Sequence, residues 1–138
     1  MFIHTFKKRV RYSETDQMGY LYYGNYAHYY EIGRAEMIRS IGISYNEMEK
    51  EIGVMMPVMS LSCRFVRPAH YDELVSIKTT LRNLPGKTII FHMELFNEKG
   101  KLLNGGTVKL CFVDVKSNKS IEAPAYLLEK LIPHFEEN

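Results

Sequence analysis

Four successive stretches in the second half of the chain alternate apolar and polar residues, and this pattern narrows the possible folds more than any other feature. Met59, Leu61, Cys63 and Phe65 alternate with Ser60, Ser62 and Arg64. Val75, Ile77, Thr79 and Leu81 alternate with Ser76, Lys78 and Thr80. Ile89, Phe91, Met93 and Leu95 alternate with Ile90, His92 and Glu94, and Val108, Leu110 and Phe112 with Lys109 and Cys111. Successive side chains of a strand point to opposite faces, so each stretch predicts a strand buried on one side. Arg67-Pro68-Ala69-His70, Leu84-Pro85-Gly86-Lys87 and Asn97-Glu98-Lys99-Gly100 have turn compositions. The last two read as hairpins, so the sheet is expected to be largely antiparallel.

The first half has a different period. From Asn25, residues Tyr26, Tyr29, Tyr30, Gly33, Met37, Ile38 and Ile41 recur at helical spacing and form one apolar face. Glu31, Arg34, Glu36 and Arg39 fall mostly elsewhere. Asn25 is the expected N-cap and Gly42 the expected stop, giving a helix roughly 25 Å long. Ser44 with Glu47 resembles a capping box opening a short second helix to about Glu51. Upstream, residues 6–12 read as a strand and residues 13–19 as a polar loop closed by Gly19. Pro124 opens a terminal helix with Leu127, Leu128 and Leu131 on one face. The order is strand, helix, four strands, helix, in an α+β chain read as one domain over residues 1–138. One helix covers one sheet face. The other face and a Tyr-rich segment also need cover, and dimerisation is the economical way to supply it.

Composition excludes several function classes. A net charge of +2, with no long basic run and no aromatic–basic stripe, argues against nucleic acid. No apolar stretch approaches the roughly 18 residues of a membrane span, and the N-terminus lacks an apolar leader, so a cytoplasmic location is expected. Cys63 and Cys111 lie in no metal-ligand spacing and read as small buried apolar residues; no metal or cofactor is expected. Of 10 Tyr, many cluster between residues 12 and 30, as expected of a site or an interface.

That cluster contains the string Asp16-Gln17-Met18-Gly19-Tyr20-Leu21-Tyr22-Tyr23-Gly24-Asn25-Tyr26, followed by Tyr30-Glu31 and Arg34-Ala35-Glu36. It resembles the signature of the 4-hydroxybenzoyl-CoA thioesterase family, with its strongest likeness to the YbgC-type acyl-CoA thioesterases. Arg64-Phe65-Val66-Arg67-Pro68-Ala69 with Tyr71-Asp72-Glu73 resembles the end of the family's long second strand. The likeness implies a hot-dog fold: a five-stranded antiparallel sheet wrapped around a long central helix, with a C-terminal helix added. It also implies an acyl-CoA substrate and a homo-oligomer, a dimer or a dimer of dimers, of which the resemblance favours the homotetramer. Asp16 takes the position of the family's catalytic carboxylate, as base or nucleophile, and the Tyr23 amide that of the group polarising the carbonyl. Tyr23 stands where His is usual in the YbgC-type form, so no imidazole acts at this position.

The residues support the same chemistry without the resemblance. A thioester carbonyl needs a nucleophile or activated water, plus donors where negative charge develops on oxygen. A helix N-terminus supplies unpaired amides and a positive dipole end, which makes the N–H groups of Tyr23, Gly24 and Asn25 candidates. The missing side chain at Gly24 is expected to let an acyl group approach. Alone, an Asp before Gly would be a turn residue making an Asx hydrogen bond. Tyr26 and Glu31 are candidate substrate contacts; His28 reads as helix surface and His92 as structural. Coenzyme A carries phosphates, and Arg64, Arg67, Lys87 and Lys116 are the candidate cations. Tyr26, Tyr30, Met55, Met56 and Met59 are candidates for an acyl pocket. The hydratase string Gly-His-Phe-Pro-Gly is absent. An acyl-ACP thioesterase and a non-catalytic acyl-CoA-binding module are the alternatives.

Overall fold

The computed structural model describes residues 1–136; residues 137 and 138, the last two of the expected domain, lie outside the described residues. The elements are β1 (Phe2–Arg9), α1 (Tyr26–Ser40), α2 (Tyr45–Glu47), β2 (Val54–Met55), β3 (Val58–Phe65), β4 (Leu74–Leu81), β5 (Thr88–Phe96), β6 (Leu102–Asp114), β7 (Ser120–Ile121) and α3 (Ala125–Glu136). Two tight 3₁₀ turns, Tyr12–Glu14 and Tyr23–Asn25, lie between β1 and α1.

The five long strands run antiparallel in the order β1-β4-β5-β6-β3. This is the expected hot-dog sheet around a long helix. Two short strands, β2 and β7, join the far end of β6, which their two-residue lengths hid from any period-2 signal. β1 begins at Phe2 and ends at Arg9, earlier than residues 6–12 suggested, because its register pairs Phe2 with Leu81 and Arg9 with Leu74. Val10 still donates to Glu73, and the chain then turns. The Ser44 hydroxyl accepts from the Glu47 amide as expected, and α2 continues as a wider helical turn over Met48–Ile52.

α1 lies across β1, β4 and β5. Its buried face is Tyr26, Tyr29, Tyr30, Gly33, Met37 and Ile38, all but Ile41 of the predicted set. Gly33 allows the close approach: a Cβ there would stand 2.5 Å from Ile77 Cγ2 and 2.8 Å from both Met93 Cε and Thr79 Oγ1. Leu127 and Leu131 bury the face of α3.

β3 departs from its expected half-burial. It is an edge strand that α1 touches only through Tyr26 and Tyr30, with Met59 and Phe65 each 55% exposed and Leu61 42% exposed. Its alternation is real, but among the described residues the apolar side is left largely uncovered at Met59, Leu61 and Phe65. Cys63 is only half-buried and not purely apolar in contact: Asn104 Nδ2 donates to its sulfur at 3.0 Å, and the Tyr30 hydroxyl bonds Asn104 Oδ1 in the same group. Cys111 is also a half-buried free thiol. Among the described residues, no helix is long and apolar enough to cross a membrane.

Candidate active site

The chain leaves β1, turns at Tyr12–Glu14 and forms a tight loop before reaching α1. An isolated bridge pairs Thr15 with Leu21 across this loop, and a second pairs Tyr20 with His70. The Asp16 amide donates to Tyr20 O at 2.8 Å and Gly19 N to Asp16 O at 3.0 Å. Gly19 takes φ +78°, which closes the turn at a conformation costly for other residues.

Asp16 is half-buried at the tip of this loop. Its Oδ1 accepts from the Met18 amide at 2.9 Å and the Tyr20 amide at 3.2 Å. The Asx turn expected of an isolated aspartate is therefore present. It leaves a reactive role open, because among the described residues no donor reaches Oδ2. One carboxylate oxygen fixes the orientation and the other is free for chemistry.

The start of the helix stands opposite. The Asn25 amide donates to Tyr22 O, so it is not a carbonyl donor as expected, because the 3₁₀ turn consumes it. Among the described residues, the Tyr23 and Gly24 amides have no acceptor. Asn25 is the N-cap by position, but its side chain does not cap. Its Nδ2 reaches back to Glu14 O at 2.8 Å and ties the helix to the loop. The space beside Gly24 is not open to an acyl group. A Cβ there would meet the Tyr22 ring at 2.6 Å, so Gly24 makes room for that ring.

A cleft of about 300 Å³ joins these parts. Asp16, Tyr20 and Leu21 form the loop side, Tyr23 and Tyr26 the helix side, and Phe65, Val66, Arg67 and Pro68 the wall where β3 ends. Tyr26 and Phe65 meet edge to face at 5.1 Å between ring centroids. Burial pushes the Tyr26 phenol pKa up, and the nearby Asp16 charge acts in the same direction. Such a site brings a carboxylate with a free oxygen, the helix start at Tyr23 and an aromatic wall around one volume, with the Gly24 amide next in the chain.

Of the predicted residues, the structure brings Asp16, Tyr23, Tyr26 and Arg67 together, with Gly24 and Asn25 beside them. It does not bring in the rest. Glu31 lines a different cavity of about 330 Å³ further along α1, with Arg34, Tyr45, Met55 and Met56. Arg64 points from exposed β3 and does not line the cleft. Lys87 and Lys116 lie at the opposite end of the sheet, because the β4–β5 turn follows Leu81 while the Asp16 loop follows Arg9, the partner of Leu74. Tyr30 is fully buried behind the cleft and Met59 lies out on β3. His28 is exposed, as read from its helix position. His92, on β5, has its pKa lowered by burial and by the charge of Arg82.

Sequence reasoning missed Tyr20, Leu21, Phe65, Val66 and Pro68 as walls. Only the juxtaposition of loop, helix and strand end reveals them. It also missed Glu14. Its carboxylate oxygen Oε1 accepts from the Arg11 amide at 2.8 Å, Lys8 Nζ at 2.9 Å and the Tyr29 hydroxyl at 2.8 Å. The spacing from Arg11 to Glu14, three residues as in a capping box, was the available signal.

Comparisons with known proteins bear on the family and the fold. The sequence pattern of the Thioesterase superfamily matches residues 18–104, beginning two residues after Asp16. YneP of Bacillus subtilis (strain 168), which bears an acyl-CoA thioesterase name, is 35% identical over 122 residues, covering 87% of this chain and 88% of that protein. The acyl-CoA thioester hydrolase YbgC of Escherichia coli O157:H7 is 28% identical over 129 residues, covering 94% and 92%. Among solved structures, a DHNA-CoA thioesterase from Staphylococcus aureus superposes with a TM-score of 0.82 at 33% identity, covering 99% of this chain and 88% of its own. The profile match, these relatives and the hot-dog architecture lead to one conclusion: the chain belongs to the thioesterase superfamily.

Proposed function

We propose that this acyl-CoA thioesterase works through Asp16 and the unpaired amides of Tyr23 and Gly24, in the cleft between the Asp16 loop and the end of β3. The observation that carries the reading is the shared cleft: a carboxylate with one tethered and one free oxygen opens onto the same volume as the start of the helix. The thioester carbonyl oxygen sits against the amides, which stabilise the negative charge that develops on it. Asp16 either removes a proton from an attacking water or attacks the carbonyl carbon itself. In both routes the C–S bond breaks and the CoA sulfur leaves as a thiolate. A thiol pKa near 8.5 makes that departure easy without a general acid. When Asp16 attacks, the mixed anhydride it forms is then hydrolysed by water, which restores the carboxylate and releases the acid; when water attacks, it becomes part of the acid directly, and neither route as drawn needs a metal or cofactor.

We further read the whole chain as one domain, supported by one contiguous core, and place it in the cytoplasm. We read its working form as a homo-oligomer paired through β3, a dimer or a dimer of dimers. The support is the unpaired outer edge of β3 and its uncovered apolar side chains.

The test is Asp16→Asn, assayed with a chromogenic thiol trap over a panel of short, long and aromatic acyl-CoAs. The expected loss in kcat is at least about 10²-fold with the fold intact, the lower range of general-base and nucleophilic contributions. Unchanged turnover removes the assignment of Asp16. Inertness of the wild-type chain on every acyl-CoA favours a binding module, and faster turnover of the same acyl group on ACP favours the carrier-protein reading. Trapping an acyl group on Asp16 with hydroxylamine during a single turnover separates attack by Asp16, which forms a mixed anhydride, from attack by water, which forms none.

A further inference from the structure

Glu14 occupies a place in this fold that the hydrolytic chemistry does not itself require. Its side chain is only 15% exposed, and one oxygen takes three donors from three parts of the chain: Lys8 on β1, the Arg11 amide in the 3₁₀ turn and Tyr29 on α1. Tyr29 is fully buried, so its hydroxyl has no solvent to fall back on. The main-chain carbonyl of the same residue takes two more donors, the Tyr22 amide at 2.9 Å and Asn25 Nδ2 at 2.8 Å. Those two residues flank Tyr23 and Gly24, whose unpaired amides the proposed mechanism sets against the thioester carbonyl. Asp16 follows Glu14 by two residues, with Thr15 between them.

We propose that Glu14 is the positioning residue of this active site, setting the distance between the Asp16 carboxylate and the amides of Tyr23 and Gly24. Its carboxylate anchors residue 14 to the strand and helix, and its carbonyl holds the approach to the helix. Asp16 hangs from the same point, so a shift of residue 14 moves the two halves of the site relative to each other. Misplacement of a reacting group by about 1 Å costs up to about 10²-fold in rate. Removing the carboxylate forces such a shift, because the buried Tyr29 hydroxyl, Lys8 and the Arg11 amide lose their shared acceptor and must find others.

The proposal rests on the assignment of Asp16, and the test separates the two. Four variants are compared: Glu14→Ala, Glu14→Gln, Asp16→Asn and the double variant Glu14→Ala/Asp16→Asn. Glu14→Ala is expected to lower kcat at least about 10-fold while KM for the acyl-CoA changes less than about threefold, the mark of an interaction realised in the transition state. Glu14→Gln keeps an acceptor oxygen and is expected to recover kcat to within about threefold of wild type. In the Asp16→Asn background the alanine substitution is expected to have less than about a twofold further effect, because groups acting as one unit are not additive. A folded Glu14→Ala protein with kcat within twofold of wild type overturns the proposal, as does a loss that multiplies in full with Asp16→Asn. Unchanged turnover in Asp16→Asn alone overturns the underlying assignment instead. If Glu14→Ala does not fold, Tyr29→Phe takes its place, since it removes one donor and keeps the ring. A kcat loss of about threefold that vanishes in the Asp16→Asn background supports the proposal, and an unchanged kcat overturns it.

Discussion

The Asp16 loop and strand β3 face each other across the same cleft and satisfy their polar groups in opposite ways. The loop is closed on itself. Its main chain is bridged at Thr15 and Leu21, one Asp16 oxygen is held by two amides, and its base is bound to α1 through Glu14 and Asn25. Among the described residues, it leaves Asp16 Oδ2 without a donor, and the helix start beyond it leaves the Tyr23 and Gly24 amides without an acceptor. β3 is open. It pairs with β6 on one side only, and exposes Val58, Met59, Leu61 and Phe65. The difference shows that part of this site is built by local hydrogen bonding within one chain, while the wall opposite depends on a surface that one chain leaves uncovered.

The largest expected effects break this comparison cleanly, because each region should fail in its own way. Leu61→Lys places a charge on the apolar side of β3. If a second copy covers that strand, an unpaired lysine is buried there, which costs about 3–5 kcal/mol. The expected outcome is at least about a 10²-fold weaker dimer, seen as a shift toward the monomer mass in analytical ultracentrifugation, with the circular dichroism of the monomer retained. Asp16→Asn, in contrast, should lower turnover at least about 10²-fold and leave the mass distribution alone. A Leu61→Lys protein with the same mass distribution as wild type would mean that β3 is not the pairing surface.

The same contrast explains what the sequence made legible. The period-2 and helical patterns gave the long strands and the buried face of α1, because burial within one chain writes itself into local spacing. Asp16 was legible because a loop, a glycine and a helix start lie within eleven residues of sequence. Glu31, Arg64 and Lys87 were placed at the site by sequence nearness or charge alone, and the register sends each elsewhere. Glu31 lies two helix turns beyond Tyr23 and lines a second cavity. Gly24 was read as room for substrate, but the room belongs to the Tyr22 ring, a contact that no spacing announces. The wall at Phe65 to Pro68 depends on β3 lying beside β6, a pairing between segments some forty residues apart.

Arg67 sits where the two regions meet and sharpens the comparison with a smaller effect. It lines the cleft at the end of β3, and its Nη1 donates to Leu102 O at 2.9 Å, which holds the guanidinium at the cleft mouth. An exposed cation facing a phosphate contributes about 1 kcal/mol. Arg67→Ala is therefore expected to raise KM for an acyl-CoA about fivefold with kcat unchanged. The increase should disappear with an acyl-pantetheine substrate, which lacks the nucleotide. An equal KM increase on both substrates would instead place Arg67 at the acyl end.

The smallest expected effect lies in the base of the loop and appears in pH rather than in rate. Burial of Glu14 works to raise its carboxyl pKa, but the Arg11 amide, Lys8 and the Tyr29 hydroxyl together outweigh it, and the net shift is below the ordinary value of 4.5. Tyr29 moves the other way, pushed up first by its own burial and then by donating to Glu14. A depressed carboxylate binds protons less readily in the folded than in the unfolded chain. Its stabilisation is thus complete above pH 4.5 and fades as pH falls through the lower folded value. Glu14→Gln keeps the shape but cannot titrate, so every other group contributes equally to both proteins and cancels in their difference. The melting temperature of wild type should exceed that of Glu14→Gln by a few degrees near pH 7, and the gap should narrow as pH falls below 4.5 and through the lower folded value. A gap that stays constant from pH 7 to pH 3 would mean that the Glu14 carboxylate is not held ionised by its three donors, and that the loop is closed by its main-chain bonds alone.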